Sequence, residues 1–104
     1  MFARIGRLRF RPGHREEVIR IARESLPIFR SLAGFERVTY LYDDASGWGF
    51  VLSLWTTAEH ADASDAPLTG VAEQFAAYGA GDLDDDEAHA VIGRLPTLEV
   101  IAEA

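Results

Sequence analysis

The hydrophobic pattern of the chain switches between two-residue and 3.6-residue periods, and this succession predicts its secondary structure. Residues 2–10 alternate between apolar and polar positions as in a first strand, which a Pro-Gly turn ends. Residues 14–32 carry a helical apolar stripe made of Val18, Ile21, Ala22, Leu26, Phe29 and Leu32. Pro27 lies within this stripe and predicts a kink or a split of the helix between residues 23 and 27.

A β-hairpin is predicted after this helix. Gly34 fits the helix stop, a second strand covers Phe35–Tyr42, and the turn residues 43–47 lead into a third strand, Trp48–Trp55. The third strand is apolar on both faces, which indicates that both are covered. A chain of this length has too few helices to cover both faces of a sheet. The second face is therefore predicted to meet another copy, giving a homodimer.

The second half of the chain predicts helices followed by one strand. Thr56 and Glu59 form a capping-box signal for a helix over residues 57–64, and Pro67 restarts a helical stripe that runs to Tyr78. A short acidic helix over residues 84–92 and a final strand over residues 97–102 complete the order βαββαβ. This order predicts a ferredoxin-like α+β fold with a four-stranded antiparallel sheet.

Composition narrows the function classes. The 104 residues form one predicted domain without cysteine or lysine, which excludes disulfides, a thiolate nucleophile, Schiff-base chemistry and a P-loop. No apolar run or leader suggests a membrane span or export, so a cytoplasmic location is expected. Residues 1–42 carry a charge of +5 and the remainder −12, for a net charge of −7. The arginines lie beside glutamates or alternate along a strand, so we expect charge pairing within the protein and no binding of nucleic acid.

Several polar and aromatic residues are candidates for chemistry. Trp55, at the end of a buried strand, is a candidate wall of a ligand pocket, with a core tryptophan as the alternative. His60, in the first turn of a helix, is a candidate proton acceptor, although a solvated surface histidine is the more common case. Tyr40 is a second candidate for proton transfer, and Arg7 or Arg4 for stabilising an anion.

Aromatic residues of the predicted helices complete this candidate site. Phe29, Phe75 and Tyr78 are expected beside the same space, as core residues and, if a cavity exists, as substrate contacts. The three histidines lack metal-ligand spacing. The acidic run at residues 82–86 resembles the start of a calcium loop but lacks the glycine and the distal glutamate that such a loop needs. No metal is predicted.

Several short motifs occur at the predicted element boundaries: Pro12 and Gly13 follow strand one, Gly34 and Phe35 open strand two, and Trp55 is followed by Thr-Thr-x-Glu-His. In these residues the chain resembles the antibiotic biosynthesis monooxygenase-like family of dimeric α+β barrels. This resemblance implies a barrel made of two copies and, in the family's oxygenase members, chemistry on a small hydroxy-aromatic or quinol without a cofactor.

Departures from two branches of this family limit what the resemblance implies. Gly6, Ser64 and Gln74 stand where the haem-degrading branch carries Asn, Trp and His, which disfavours haem degradation. Val51 and Ala61 stand where the polyketide-oxidising branch carries Asn and Tyr. The prediction is a cofactor-independent monooxygenase. The alternative is a non-catalytic or accessory dimeric barrel that binds a small apolar ligand, or a barrel with a cyclase or isomerase role.

Overall fold

A computed structural model describes residues 1–80 and 97–104. In these ranges the elements are β1 (Phe2–Arg9), α1 (Arg15–Arg30), β2 (Phe35–Tyr42), β3 (Trp48–Trp55), α2 (Ala58–Ala63), α3 (Asp65–Ala76) and β4 (Glu99–Glu103). This order confirms the predicted ferredoxin-like α+β fold. The short acidic helix predicted over residues 84–92 lies outside the described residues.

The four strands form one antiparallel sheet in the order β1-β3-β2-β4. β3 lies between β1 and β2, which therefore run parallel to each other, while β4 pairs with the other side of β2. The tight β2–β3 turn depends on Gly47, whose φ of +81° is costly for any residue with a side chain. Its N–H donates to the carbonyl of Asp43 over 2.8 Å.

α1 is one helix, so the predicted split at Pro27 does not occur. Proline removes a single backbone donor, here the one that would pair with the carbonyl of Arg23. The turn after Pro27 is held by tertiary packing, because Phe29 is buried and its ring contacts Tyr40 and Trp55. Packing of this apolar face outweighs the loss of one hydrogen bond.

α2 begins one residue later than its sequence signal indicates. The N-cap is Thr57, whose hydroxyl accepts from the N–H of His60 over 3.1 Å. The N–H of Thr56 donates to the carbonyl of Gly34, and its hydroxyl lies 3.2 Å from Nδ1 of His60. The prediction of Thr56 as the capping residue is therefore wrong, and the N-cap lies one position later. α3 follows directly and carries Pro67 in its first turn, as predicted.

The two faces of the sheet differ in how they are covered. The helices pack on one face, over a core of Phe10, Val18, Ala22, Phe29, Val38, Tyr40, Tyr42, Trp55, Ala61, Ile101 and Ala102. The other face, which we call the open face, carries Ile5 at 73% exposure and Val100 at 51% exposure. Cross-strand pairs place Leu52 beside Ile5, and Leu41 beside Val100. The open face is thus an apolar surface that this chain does not cover.

One charged cluster ties three elements together. Arg15, at the start of α1, bonds Asp44 of the hairpin over 3.0 Å and both carboxylate oxygens of Glu99 on β4 over 2.7 Å. The guanidinium also lies 6.0 Å from the ring centre of Tyr42. These bonds lower the pKa of Glu99 and raise that of Arg15, with their mutual hydrogen bond as the main cause.

Candidate functional site

A cavity of about 300 Å³ lies between the sheet and helices α1 and α3. Most of its walls are apolar side chains, from Leu8, Phe10, Val18, Val51, Phe75 and Ile101. Its volume is at the lower end of the range of about 300–1,000 Å³ typical of small-molecule sites. The site therefore suits a small and largely apolar ligand.

Two glycines keep side chains out of the sheet beside this cavity. A Cβ atom at Gly6 of β1 would lie 2.8 Å from Cγ1 of Val51, and one at Gly49 of β3 would lie 2.7 Å from Cε2 of Phe10. Both glycines line the cavity. Neighbouring side chains thus occupy the space that larger residues would need at these positions.

Among the described residues that line the cavity, Tyr40 is the one that carries a hydroxyl group. Its oxygen lies 2.7 Å from Oγ of Ser25, and that hydroxyl in turn lies 2.7 Å from the carbonyl of Ala22. Because the carbonyl can only accept, Ser25 donates to it and Tyr40 donates to Ser25. Burial raises the pKa of Tyr40, and the bond to Ser25 offsets only part of this effect. Tyr40 is therefore a neutral phenol whose proton is held by Ser25 and whose oxygen can still accept.

Phe75 of α3 is the main aromatic contact between that helix and the cavity. Its ring lies 5.8 Å from the ring of Tyr40 and 5.7 Å from the ring of Phe10, centre to centre. These separations are typical of tilted aromatic pairs. An aromatic ligand in the cavity would contact the ring of Tyr40, from β2, and the ring of Phe75, from α3.

Trp55 and Phe29 lie outside the cavity, in the packed core. Trp55 is fully buried, and its indole N–H donates to Oγ of Ser53 over 2.9 Å. Its ring contacts Phe35 and Phe29 with centres 5.8 and 6.2 Å apart. Both residues thus have the surroundings of core side chains.

The two candidate arginines have different surroundings. Arg4 caps the end of α2, because it donates to the carbonyl of Ala61 over 2.8 Å and pairs with Asp65 over 2.6 Å. Arg7 lines the cavity, but the alternation along β1 sends its side chain to the open face, opposite Leu8. Neither guanidinium is placed against the helix-covered side of the cavity.

His60 and Tyr78 also lie away from the cavity. Nδ1 of His60 is 3.2 Å from the hydroxyl of Thr56, and its ring packs over Gly34. The ring of Tyr78 contacts that of His14 in a tilted arrangement, with ring centres 5.0 Å apart. Of the candidate residues named from the sequence, Tyr40, Phe75 and Arg7 line the cavity, although the side chain of Arg7 points to the open face. The other candidates lie outside the cavity.

Several residues that form the site were not predicted as site residues from the sequence. Val18 and Ile101 were assigned only to helix or strand faces, and nothing in their local pattern marks a cavity. Gly6 and Val51 were named only as departures from the Asn residues of two family branches, yet both line the cavity. Ser25 carried a detectable signal, because it interrupts the apolar stripe of α1. A buried hydroxyl at such a position requires a polar partner, which here is Tyr40.

The described residues contain neither a metal-binding cluster nor a membrane-spanning helix. Within residues 1–80 and 97–104, no group of three His, Asp or Glu side chains is arranged to hold a metal ion. None of the helices in the same ranges has the length and apolar character needed to cross a membrane.

Comparison with protein families gives one match. The model of the family described as antibiotic biosynthesis monooxygenase matches residues 1–66, which include β1 through α2. No curated protein and no solved structure matches the chain. The family match covers more than half of the sequence and extends through Tyr40 and both cavity glycines. The chain therefore belongs to the antibiotic biosynthesis monooxygenase family.

Proposed function

We propose that this protein is a cofactor-independent monooxygenase that binds a small hydroxy-aromatic or quinol in the cavity between the sheet and helices α1 and α3. The observation that carries the proposal is an apolar cavity with aromatic walls from Tyr40 and Phe75, in a chain of a monooxygenase family. An apolar site of this kind favours neutral aromatic ligands, because burying a charge without a partner is costly.

The proposed reaction balances without an external reductant. A phenol loses the hydrogen of its hydroxyl and one ring hydrogen, and gains one oxygen atom from O₂ to become a quinone. The second oxygen atom leaves as water with those two hydrogens. The substrate supplies all four electrons that reduce O₂, so the protein's task is to bind, orient and shield the substrate.

Tyr40 is proposed as the residue that orients the substrate. Its proton is donated to Ser25, which leaves its oxygen free to accept a hydrogen bond from a substrate hydroxyl. The raised pKa keeps Tyr40 neutral near pH 7, so we assign it a role in positioning rather than as a base.

Oxygen uptake tests the proposal. Purified protein should consume O₂ with a panel of hydroquinones and anthrone-like phenols, and one atom of ¹⁸O from labelled O₂ should enter each product molecule. Tyr40→Phe should reduce kcat/KM by about tenfold, the equivalent of one lost hydrogen bond of ~1.4 kcal/mol. Tyr42→Phe is the matched control, because Tyr42 is buried on the same face of β2 but does not line the cavity. No uptake across the panel would count against the oxygenase.

A non-catalytic binding protein is the second candidate function. The observation in its favour is that the described lining includes no histidine or carboxylate, and that the one lining arginine directs its side chain to the open face. Binding of a phenol without O₂ uptake, measured by calorimetry, would favour this candidate. An isomerised or cyclised product would favour the cyclase or isomerase alternative.

We further propose that two copies associate through the open face to form a dimeric α+β barrel. Support comes from Ile5 and Val100, large apolar side chains that are more than half exposed on one sheet face. Ile5→Glu should convert the dimer to a monomer in sedimentation velocity, because the new carboxylate would be buried without a partner. Gln74→Glu, an exposed position on α3, should leave the mass unchanged. A wild-type monomer at micromolar concentration would refute this assembly.

A further inference from the structure

The cavity opens to solvent beside α3, where two of the residues that line it, Ala72 and Ala76, are exposed. The helix packs against α1 and α2, and Val71 is its one buried residue. An external groove runs along it, lined by Asp65, Leu68, Thr69, Ala72, Glu73 and Ala76. Ala72 and Ala76 line the cavity as well. These two alanines thus form the border between the outer groove and the mouth of the cavity.

The edge of the sheet borders the cavity opposite α3. Gly6 lines the cavity from β1, which is an outer strand of the sheet in the described part of the chain, and it contributes no side chain. Residues Ala72 and Ala76 are one helical turn apart and so lie on one face of α3. The smallest side chains of the cavity thus occur together where α3 faces solvent, while its large side chains lie deeper.

We propose that Ala72 and Ala76 form the portal through which the ligand reaches the cavity and that they limit its width. This inference rests on the proposed ligand-binding function. A flat, neutral aromatic molecule passes through the opening between α3 and the β1 edge. A larger side chain at either alanine would narrow this opening and would have to move aside first. We expect passage to slow by about 10-fold to 100-fold, which corresponds to about 1.4–2.7 kcal/mol.

Binding kinetics distinguish a portal from an ordinary wall. The probe is 2-naphthol, a neutral hydroxy-aromatic, followed by stopped-flow fluorescence and by equilibrium dialysis. Ala72→Leu should slow association and dissociation together by about tenfold or more, and should change Kd much less. Ala76→Leu should behave alike. Ala77→Leu is the control, because Ala77 is exposed next to α3 and lines neither the cavity nor the groove.

The outcomes separate this inference from the proposed function. Failure of the unsubstituted protein to bind any of a set of neutral phenols would overturn both. Binding by the unsubstituted protein, with unchanged rates in both leucine variants, would overturn the portal alone. A weaker Kd without slower association would also overturn it, because it would show that the alanines only shape the cavity. Circular dichroism verifies that each variant is folded, and leucine is a good helix former.

Discussion

The direction of the buried hydrogen bond between Tyr40 and Ser25 determines how much unfolding free energy is lost when either partner is removed. Tyr40 donates to Ser25, which donates to the carbonyl of Ala22. Tyr40→Phe removes the donor and leaves Ser25 bonded, so it should cost about 1 kcal/mol of unfolding free energy. Ser25→Ala instead leaves a buried phenol without an acceptor, at about 1–3 kcal/mol, less ~0.5 kcal/mol for the better helix propensity of alanine.

The double variant makes this reasoning quantitative. Once Tyr40→Phe has removed the phenol, Ser25→Ala no longer strands a buried donor, so the double variant should be no less stable than Ser25→Ala alone. The two changes should therefore be coupled by about 1 kcal/mol or more. Urea titration at one fixed protein concentration provides all four free energies, since a dimer's midpoint depends on concentration.

The pH dependence of stability tests the burial of Tyr40. The pKa of Tyr40 is raised in the folded state, mainly by burial, above its usual value of 10.0. A group with a raised folded pKa stabilises the fold fully below its unfolded pKa, and this contribution is lost as pH rises through the folded pKa. Tyr40→Phe should therefore lose less stability above pH ~10 than the wild type. Additive effects of Ser25→Ala and Tyr40→Phe on the unfolding free energy would refute the assigned direction of donation.

Three further perturbations test other parts of the structure. Trp55→Ala should lower the unfolding free energy by about 3–5 kcal/mol because it empties a fully buried site, whereas Trp55→Phe should cost less in the same urea titration. Arg15 lowers the pKa of Glu99 from its usual 4.5, so this pair's contribution is present above pH ~4.5 and is lost as pH falls through the folded pKa. Thermal midpoints of Glu99→Gln should thus lie below wild type at pH 7 and converge with it in acid; a constant difference would contradict this. Gly34→Ala should cost about 1–2 kcal/mol for its left-handed φ, plus a clash with His60. His60→Ala removes the ring but keeps the Cβ of residue 60, 2.6 Å from the new methyl group, so the double variant should recover only part of this cost.

The sequence was sufficient to predict the element order because each element has a local signal. The β2–β3 hairpin follows from its turn residues, and its strands have the predicted bounds, Phe35–Tyr42 and Trp48–Trp55. Errors arose where tertiary contacts decide. Pro27 stays within a continuous helix because that helix packs on the sheet. Ile101 and Ala102 are both buried, although neighbouring residues of a strand normally face opposite sides of the sheet, because the β2–β4 register shifts between Tyr40 and Leu41.

The cavity was harder to predict because it is a space between elements. Tyr40 and Phe75 are recognisable as aromatic residues on core-facing positions, and both line it. Trp55 has the same kind of signal but is surrounded by packed rings. Whether an aromatic side chain meets a cavity or another ring depends on how far α3 stands from the sheet. Ala72 and Ala76, which line the cavity from α3, have no distinctive sequence signal.

The interleaved strand order has a consequence for how the chain folds. The β2–β3 hairpin is the one strand pairing in the described sheet that closes over a short turn, whereas β1 reaches β3 across α1 and β4 reaches β2 from the far end of the chain. Loop-closure entropy makes these distant pairings late events, and such topologies fold slowly. We expect φ-values near 1 in the hairpin and near 0 in β4. The strand that contributes Ile101 to the cavity would then dock last, so the ligand site would be among the final parts of the molecule to form.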